Sequence, residues 1–328
     1  MRPPSGAAAP AAGERWVLRV RQPDGSASDV VGWVLESGPD ALTVEGPVDP
    51  QSPAPAERQT VPWSDVVVAR RAPAARGGTD PGRTPPAVLE RVAVEAWAVE
   101  TEPLGDWVLR SAGGFTGRAN SCLAVGDPGV DVAEAAARVE GYAAAHAIAP
   151  LAQVVTASDE DEALSGLGWT ETYVATDVLA IRLAALLDDR AGGRQVVVEE
   201  ELRPAWRAAF DAYRPNDADP ALVTRLLDGR RPRAFGSVAD EGGDVVAIGR
   251  GHLAHGWLGV SGLWTEPSRR RRGLATTVLR GLGDWAAHRE ARWCYLQVDA
   301  RNTGAHAAYE RLGFRLHHRY RYLAPPAR

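Results

Sequence analysis

Two distant stretches of this chain end a helix and open a strand in the same manner, and this recurrence constrains the fold more than any other feature. In one, Leu164-Ser165-Gly166-Leu167-Gly168-Trp169 leads into a strand-like run over 172–181; in the other, Tyr309-Glu310-Arg311-Leu312-Gly313-Phe314 leads into 315–323. Glycine takes the left-handed conformation that stops a helix, and the aromatic residue after it anchors the next strand. From residue 88 onward helix and strand patterns alternate, which implies an α/β (α+β) chain with two weakly similar halves. A chain of 328 residues can hold two or three domains of this size.

Punctuation divides the rest. Residues 1–13 and 73–87 are rich in Ala, Pro and Gly and read as a disordered start and a linker. Between them, β-prone runs at 16–21, 30–36, 41–44 and 66–69 are separated by Gly, Asp and Pro, so 14–72 is expected to form a small SH3-like β-barrel. Seven Arg against nine acidic residues over positions 1–75 give no basic stripe, so nucleic acid is not the expected partner. A structural or docking role, with a possible protein partner, is the expectation for this part. The halves are then assigned to 88–190 and 191–328.

No apolar run has the eighteen or so residues of a spanning helix, and the N-terminus lacks the apolar core of a secretory signal, so a cytoplasmic protein is expected. Cys122 and Cys294 have neither metal-ligand spacing nor a disulfide pattern, and no metal is expected. Charge is uneven. Residues 196–328 carry 21 Arg against 15 acidic residues, whereas the remainder carries 16 against 27. A polyanionic ligand would therefore be favoured by the second half.

There the pattern predicts a strand at 196–199, helices at 204–213 and 220–227, and strands at 234–238, 244–253 and 257–264. A long helix follows from about 273 to 288. Leu274, Val278, Leu282 and Trp285 recur three or four apart on it, with Leu279 and Ala286 beside them, giving a face that can lie on a sheet. The segment Arg270-Arg271-Arg272-Gly273-Leu274-Ala275 opens this helix, where backbone N–H groups lack partners and small residues permit close approach of a phosphate. It lacks the Lys-Ser/Thr ending of a P-loop.

The pattern Arg/Gln-x-x-Gly-x-Ala/Gly, preceded by Pro267, resembles the acetyl-CoA signature of the GNAT superfamily of N-acetyltransferases. Downstream, Asn302, Ala305, Tyr309 and Gly313-Phe314 match the Asn-x-x-Ala-x-x-x-Tyr-x-x-x-Gly-Phe ending of that superfamily. With the N-terminal barrel and the Gly113–Ser121 stretch, the chain resembles actinobacterial tandem-GNAT proteins, some of them named as histone-type acetyltransferases. The resemblance implies tandem GNAT folds, the first degenerate, and transfer of an acetyl group from acetyl-CoA to a primary amine, on a protein or a small molecule, in a ternary complex.

By the same resemblance, Leu263, Trp264 and Thr265 bond the pantetheine arm and polarise the thioester, and Arg270, Arg271, Arg272, Gly273, Leu274, Ala275 and Thr276 hold the pyrophosphate. Asn302 contacts the cofactor or an ordered water, and Tyr309 protonates the departing thiolate. Gln297 stands where some relatives have a Glu and cannot take a proton. Glu266 and Asp299 are the nearby carboxylates, and either acts as base through a water or neither does. The acceptor is expected near 206–216, Phe235, Arg250 and Trp264, although core packing is the favoured account of Phe235 and Trp264.

In the first half the corresponding loop, Gly126-Asp127-Pro128-Gly129-Val130-Asp131, has two carboxylates and no Arg, and Leu164 stands where Tyr309 does. One acyl-CoA site per chain follows. Arg118 and Asn120 on the 113–121 stretch are either acceptor contacts or parts of a plain turn. A non-catalytic module that senses acyl-CoA or docks a partner is the alternative function.

Overall fold

The computed structural model describes residues 10, 15–46, 58–71, 81–97, 100–188, 195–215 and 218–327. The expected disordered start and most of the linker lie outside these residues. Five strands come first: β1 (Arg15–Arg21), β2 (Ala27–Ser37), β3 (Ala41–Glu45), β4 (Arg58–Pro62) and β5 (Val66–Arg71), paired antiparallel in the order β4-β3-β2-β1-β5. Alternation sets their core: Trp16, Leu18 and Val20 point inward along β1 and meet Val34, Leu42, Val44, Val61 and Trp63. The sequence runs foretold four of these strands; β4 follows a proline-rich stretch that hides it.

The first half begins with α1 (Pro86–Trp97), then β6 (Glu100–Leu104), β7 (Trp107–Ser111), β8 (Cys122–Leu123), α2 (Val132–Ala145), β9 (Ala152–Val155), α3 (Asp159–Gly166), β10 (Thr170–Glu171), β11 (Thr176–Arg182) and α4 (Leu183–Leu187). The second half comprises β12 (Val197–Glu199), α5 (Pro204–Tyr213), α6 (Pro220–Asp228), β13 (Arg233–Ala239), β14 (Val245–Ala254), β15 (Trp257–Thr265), α7 (Leu274–Ala287), β16 (Trp293–Asp299), α8 (Thr303–Arg311) and β17 (Arg315–Ala324). Proline opens α5 and α6, where its missing N–H costs no helical hydrogen bond. α7 lays Leu274, Val278, Leu279, Leu282 and Ala286 on the sheet, each at most 2% exposed. Each such Leu or Val contributes on the order of 1.5–3 kcal/mol.

One 12-stranded sheet spans both halves, in the order β12-β13-β14-β15-β16-β11-β17-β9-β8-β7-β6, with β10 paired to β17 off this path. The order is nearly a palindrome. β13-β14-β15-β16 corresponds to β6-β7-β8-β9, each set ends in a parallel pair, and the halves have exchanged their last strands. β11 of the first half lies between β16 and β17, and β17 of the second half lies between β11 and β9.

Buried polar bonds hold this seam. Glu90 of α1 contacts His318 Nε2 at 2.8 Å and accepts from Gln153, whose Oε1 accepts from Arg110 at 2.8 Å. The five-stranded sheet is tied to the β14–β15 turn by His255 and Glu45 at 3.0 Å, while Arg58 bridges Glu45 and Glu95, each at 2.7 Å. Among the described residues, no helix is long and apolar enough to cross a membrane.

Candidate functional site

β15 and β16 run parallel only from Trp257–Val260 against Trp293–Leu296, and beyond those pairs they part. A cavity of about 800 Å³ occupies the opening, walled by residues 259–263 of β15 and 295–299 of β16. An irregularity in β15 accompanies the parting. Opposite β14, Ile248 pairs with Trp264 and Arg250 with Ser261, so Gly262 and Leu263 form a bulge. Gly262 has φ +60°, a conformation glycine takes without steric cost, and the bulge withdraws backbone groups from the ladder beside the cavity.

Of the expected acyl-CoA contacts, Leu263 and Asn302 line the cavity; Trp264, Thr265 and residues 270–276 do not. Trp264 packs on Tyr213 with ring centroids 6.0 Å apart, and Thr265 Oγ1 is buried without a hydrogen bond. Asn302 caps α8, its Oδ1 accepting from Ala305 N–H at 3.1 Å.

The chain then enters a short turn at Pro267–Arg269 and the loop 270–273. Arg271 has φ +60° and Gly273 has φ +78°, and no side chain caps α7. Thr277 N–H donates to Gly273 O at 2.9 Å as the first helical bond, leaving Leu274, Ala275 and Thr276 N–H at the open end. A Cβ at Gly273 would meet nothing within 4 Å. Arg270 donates to Thr265 O at 3.3 Å, and neither Arg271 nor Arg272 has an ion pair among the described residues. These features suit a phosphate ligand.

Tyr309 on α8 lines the cavity, with its ring 5.8 Å from that of Phe314. Burial, with Tyr213 and Cys294 nearby, pushes its phenol up to about 12, so it holds its proton at neutral pH. Asp299 also lines the cavity, but Arg301 N–H donates to its Oδ1 at 2.8 Å, and this bond holds the carboxyl below its usual range. Glu266 lies outside the wall, accepting from Ser268 Oγ at 2.7 Å and facing Arg269 at 3.6 Å.

The first half supplies the facing wall. Residues 114–118 line the cavity, and Arg118 donates from Nε to Tyr320 Oη at 2.7 Å. Asn120 does not reach the cavity. Its Oδ1 accepts from Ala112 and Gly114 N–H at 2.7 and 2.8 Å, and its Nδ2 donates to Thr116 O at 2.8 Å, so it fixes the turn that presents Arg118. Phe235 and Arg250 are also absent from the wall. Phe235 packs against Trp206 in the core, and Arg250, 1% exposed, donates to Leu227 O and Ala96 O, pinning β14 to α6 and α1. Of residues 206–216, Phe210, Tyr213 and Arg214 line the cavity, and 216 lies outside the described residues.

Residues 87–323 match the family model described as "Probable histone acetyltransferase Rv0428c C-terminal". The chain belongs to that family. It is an N-acetyltransferase of the GNAT type. It is similar to YobR of Bacillus subtilis, an uncharacterized N-acetyltransferase, with 24% identity over 232 residues, covering 69% of this chain and 93% of the relative. The fold is similar to that of a GCN5-related N-acetyltransferase from Kribbella flavida (TM-score 0.53, 19% identity, 74% of this chain and 95% of that one). It is also similar to a functionally unknown conserved protein from Staphylococcus epidermidis (TM-score 0.50, 11% identity, 69% and 92%).

Within this GNAT chain the halves differ where the loops open their helices. The start of α2 is closed by its own carboxylate, Asp131 Oδ1 accepting from Glu134 N–H at 2.9 Å, and Glu160 takes Gly126 N–H. α7 has no such cap. Leu164, in the place of Tyr309, is fully buried. Sequence reasoning missed Trp97, Tyr320 and Tyr322, all on the cavity wall. The run Arg319-Tyr320-Arg321-Tyr322 carried a usable signal: strand alternation turns both tyrosines inward and sends the arginines to Asp177 and Asp161.

Proposed function

We propose that the chain transfers an acetyl group from acetyl-CoA to a primary amine, with one acyl-CoA site per chain, in the second half. The observation that carries this reading is the combination of an uncapped α7 start with a parted β15–β16 pair lined by a protonated tyrosine. The N–H groups at the start of α7, Gly273 and the arginines at 270–272 would hold the pyrophosphate, and the bulge at Gly262–Leu263 would bond the pantetheine arm. Bound there, acetyl-CoA supplies an acetyl group as a thioester, which the amine takes with release of the thiol.

Tyr309 keeps a proton at its Oη for the departing sulfur, and bulge amides beside the cavity stabilise negative charge on the carbonyl oxygen. Asp299, held ionised, is the one carboxylate on the wall, among the described residues, able to take a proton from the amine through water. Glu266, outside the wall, holds the loop through Ser268 and Arg269 in this reading. We read 14–72 as an SH3-like docking module, 88–190 and 191–328 as the tandem halves, and the cytoplasm as the compartment.

Calorimetric titration with acetyl-CoA should give a stoichiometry of one. Thiol release on adding amines should then identify acceptors. Absence of binding at millimolar acetyl-CoA would reject this function.

A further inference from the structure

We propose that the acceptor carries a carboxylate beside an aromatic or apolar body, and that Arg118 receives it. This rests on the transfer reading above and adds the chemical class of the acceptor. The charged side chains on the cavity wall are Arg118, Arg214, Arg301 and Asp299. Asp299, the single carboxylate on that wall among the described residues, accepts from Arg301 N–H and lies 3.5 Å from Arg301 Nε.

Arg118 has the opposite status. Its Nε donates to Tyr320 Oη, its guanidinium lies 5.9 Å from the Trp97 ring centre, and it forms no ion pair among the described residues. Glu90, the carboxylate whose charge it feels, is occupied by His318 and Gln153. A half-buried guanidinium on the cavity wall, without an ion pair among the described residues, suits an incoming carboxylate, which it can bind through charge-assisted bonds.

A second polar residue, its hydroxyl buried, stands two residues earlier. Thr116 is 8% exposed, lines the cavity, and its Oγ1 has no hydrogen-bond partner. Both residues sit on the turn that Asn120 locks, so the site needs little ordering when a ligand arrives. Around it, Phe115, Tyr213, Tyr322 and Trp97 present rings to the cavity. A lysine-rich tail would meet three arginines there and a single carboxylate, whereas a small aromatic or apolar amino acid matches both the charge and the surface.

The test is calorimetric titration of the CoA-saturated protein with 4-(aminomethyl)benzoate and with benzylamine, which differ only in the carboxylate. Expected is at least tenfold tighter binding of the carboxylate ligand, loss of that preference in Arg118→Met, and its partial retention in Arg118→Lys, with CoA affinity unchanged in both variants. Equal or undetectable binding of the two ligands, a preference that survives Arg118→Met, or weaker CoA binding in that variant would overturn the inference. Should Arg118→Met fail to give a cooperative thermal transition, Arg118→Gln takes its place with the same criterion.

Thiol release separates the two readings. Release with a lysine-rich peptide but not with carboxylate-bearing amines rejects this acceptor class and leaves acetyl transfer standing. Release with no amine rejects acetyl transfer, and the calorimetric pair still decides whether Arg118 selects a carboxylate.

Discussion

Tyr309 owes its proton to its surroundings: burial, with a second phenol at Tyr213, raises its pKa to about 12. A raised acid pKa means the neutral form persists through neutral and mildly alkaline pH. We therefore expect kcat to show no loss attributable to this group between about pH 8 and 10. A falling limb near pH 9 that disappears in Tyr309→Phe would contradict the assignment. In that variant kcat should fall by about 100-fold or more with little change in the Kd of acetyl-CoA, measured by thiol release and calorimetry. At Gly262, with φ +60°, alanine should cost about 1 kcal/mol, read as a shift in thermal midpoint. Gly262→Ala should also weaken acetyl-CoA binding, because the bulge shapes the opening. An unchanged Kd would detach the bulge from the site.

At the scale of elements, the two helix starts make a natural control pair. Asp131→Ala removes the cap of α2 and should cost about 1 kcal/mol, lowering the midpoint by about 2–4 °C without touching acetyl-CoA affinity. Gly273→Asp places a carboxylate at the open start of α7 and should weaken acetyl-CoA at least tenfold, more at low salt. If both variants bind equally well, α7 is not the phosphate site.

The elements themselves were largely legible. The α7 face and the Asn302-to-Phe314 spacing are periodic, local signals, and the structure has an element at each place. Side-chain destinations were less so. Arg250 looks like an acceptor contact in sequence because nothing local reveals that β14 backs onto α1 and α6, whose carbonyls accept its hydrogen bonds. Arg118 and Asn120 sit two residues apart on one turn, and only packing makes one face the cavity and the other lock the loop.

The whole molecule turns on the exchange of β11 and β17. Hydrophobic pattern specifies strands but not which distant strand each will pair with, so the tandem repeat was visible and the interlocking was not. A half separated from its partner would leave a gap between β16 and β17, or between β9 and β11. We expect residues 1–190 and 191–328, expressed singly, to lack a cooperative thermal transition and to regain one when co-expressed. A separate second half that unfolds cooperatively and binds acetyl-CoA would show the exchange to be dispensable.

That exchange also imposes an order on the making of the protein. Both sheet neighbours of β11, β16 and β17, are synthesised after it, and β9 waits for β17 as well. A nascent chain halted before residue 315 therefore holds strands with unpaired edges and a cavity without Tyr320 and Tyr322. It exposes the kind of surface that chaperones attend and aggregation exploits until the last strand leaves the ribosome.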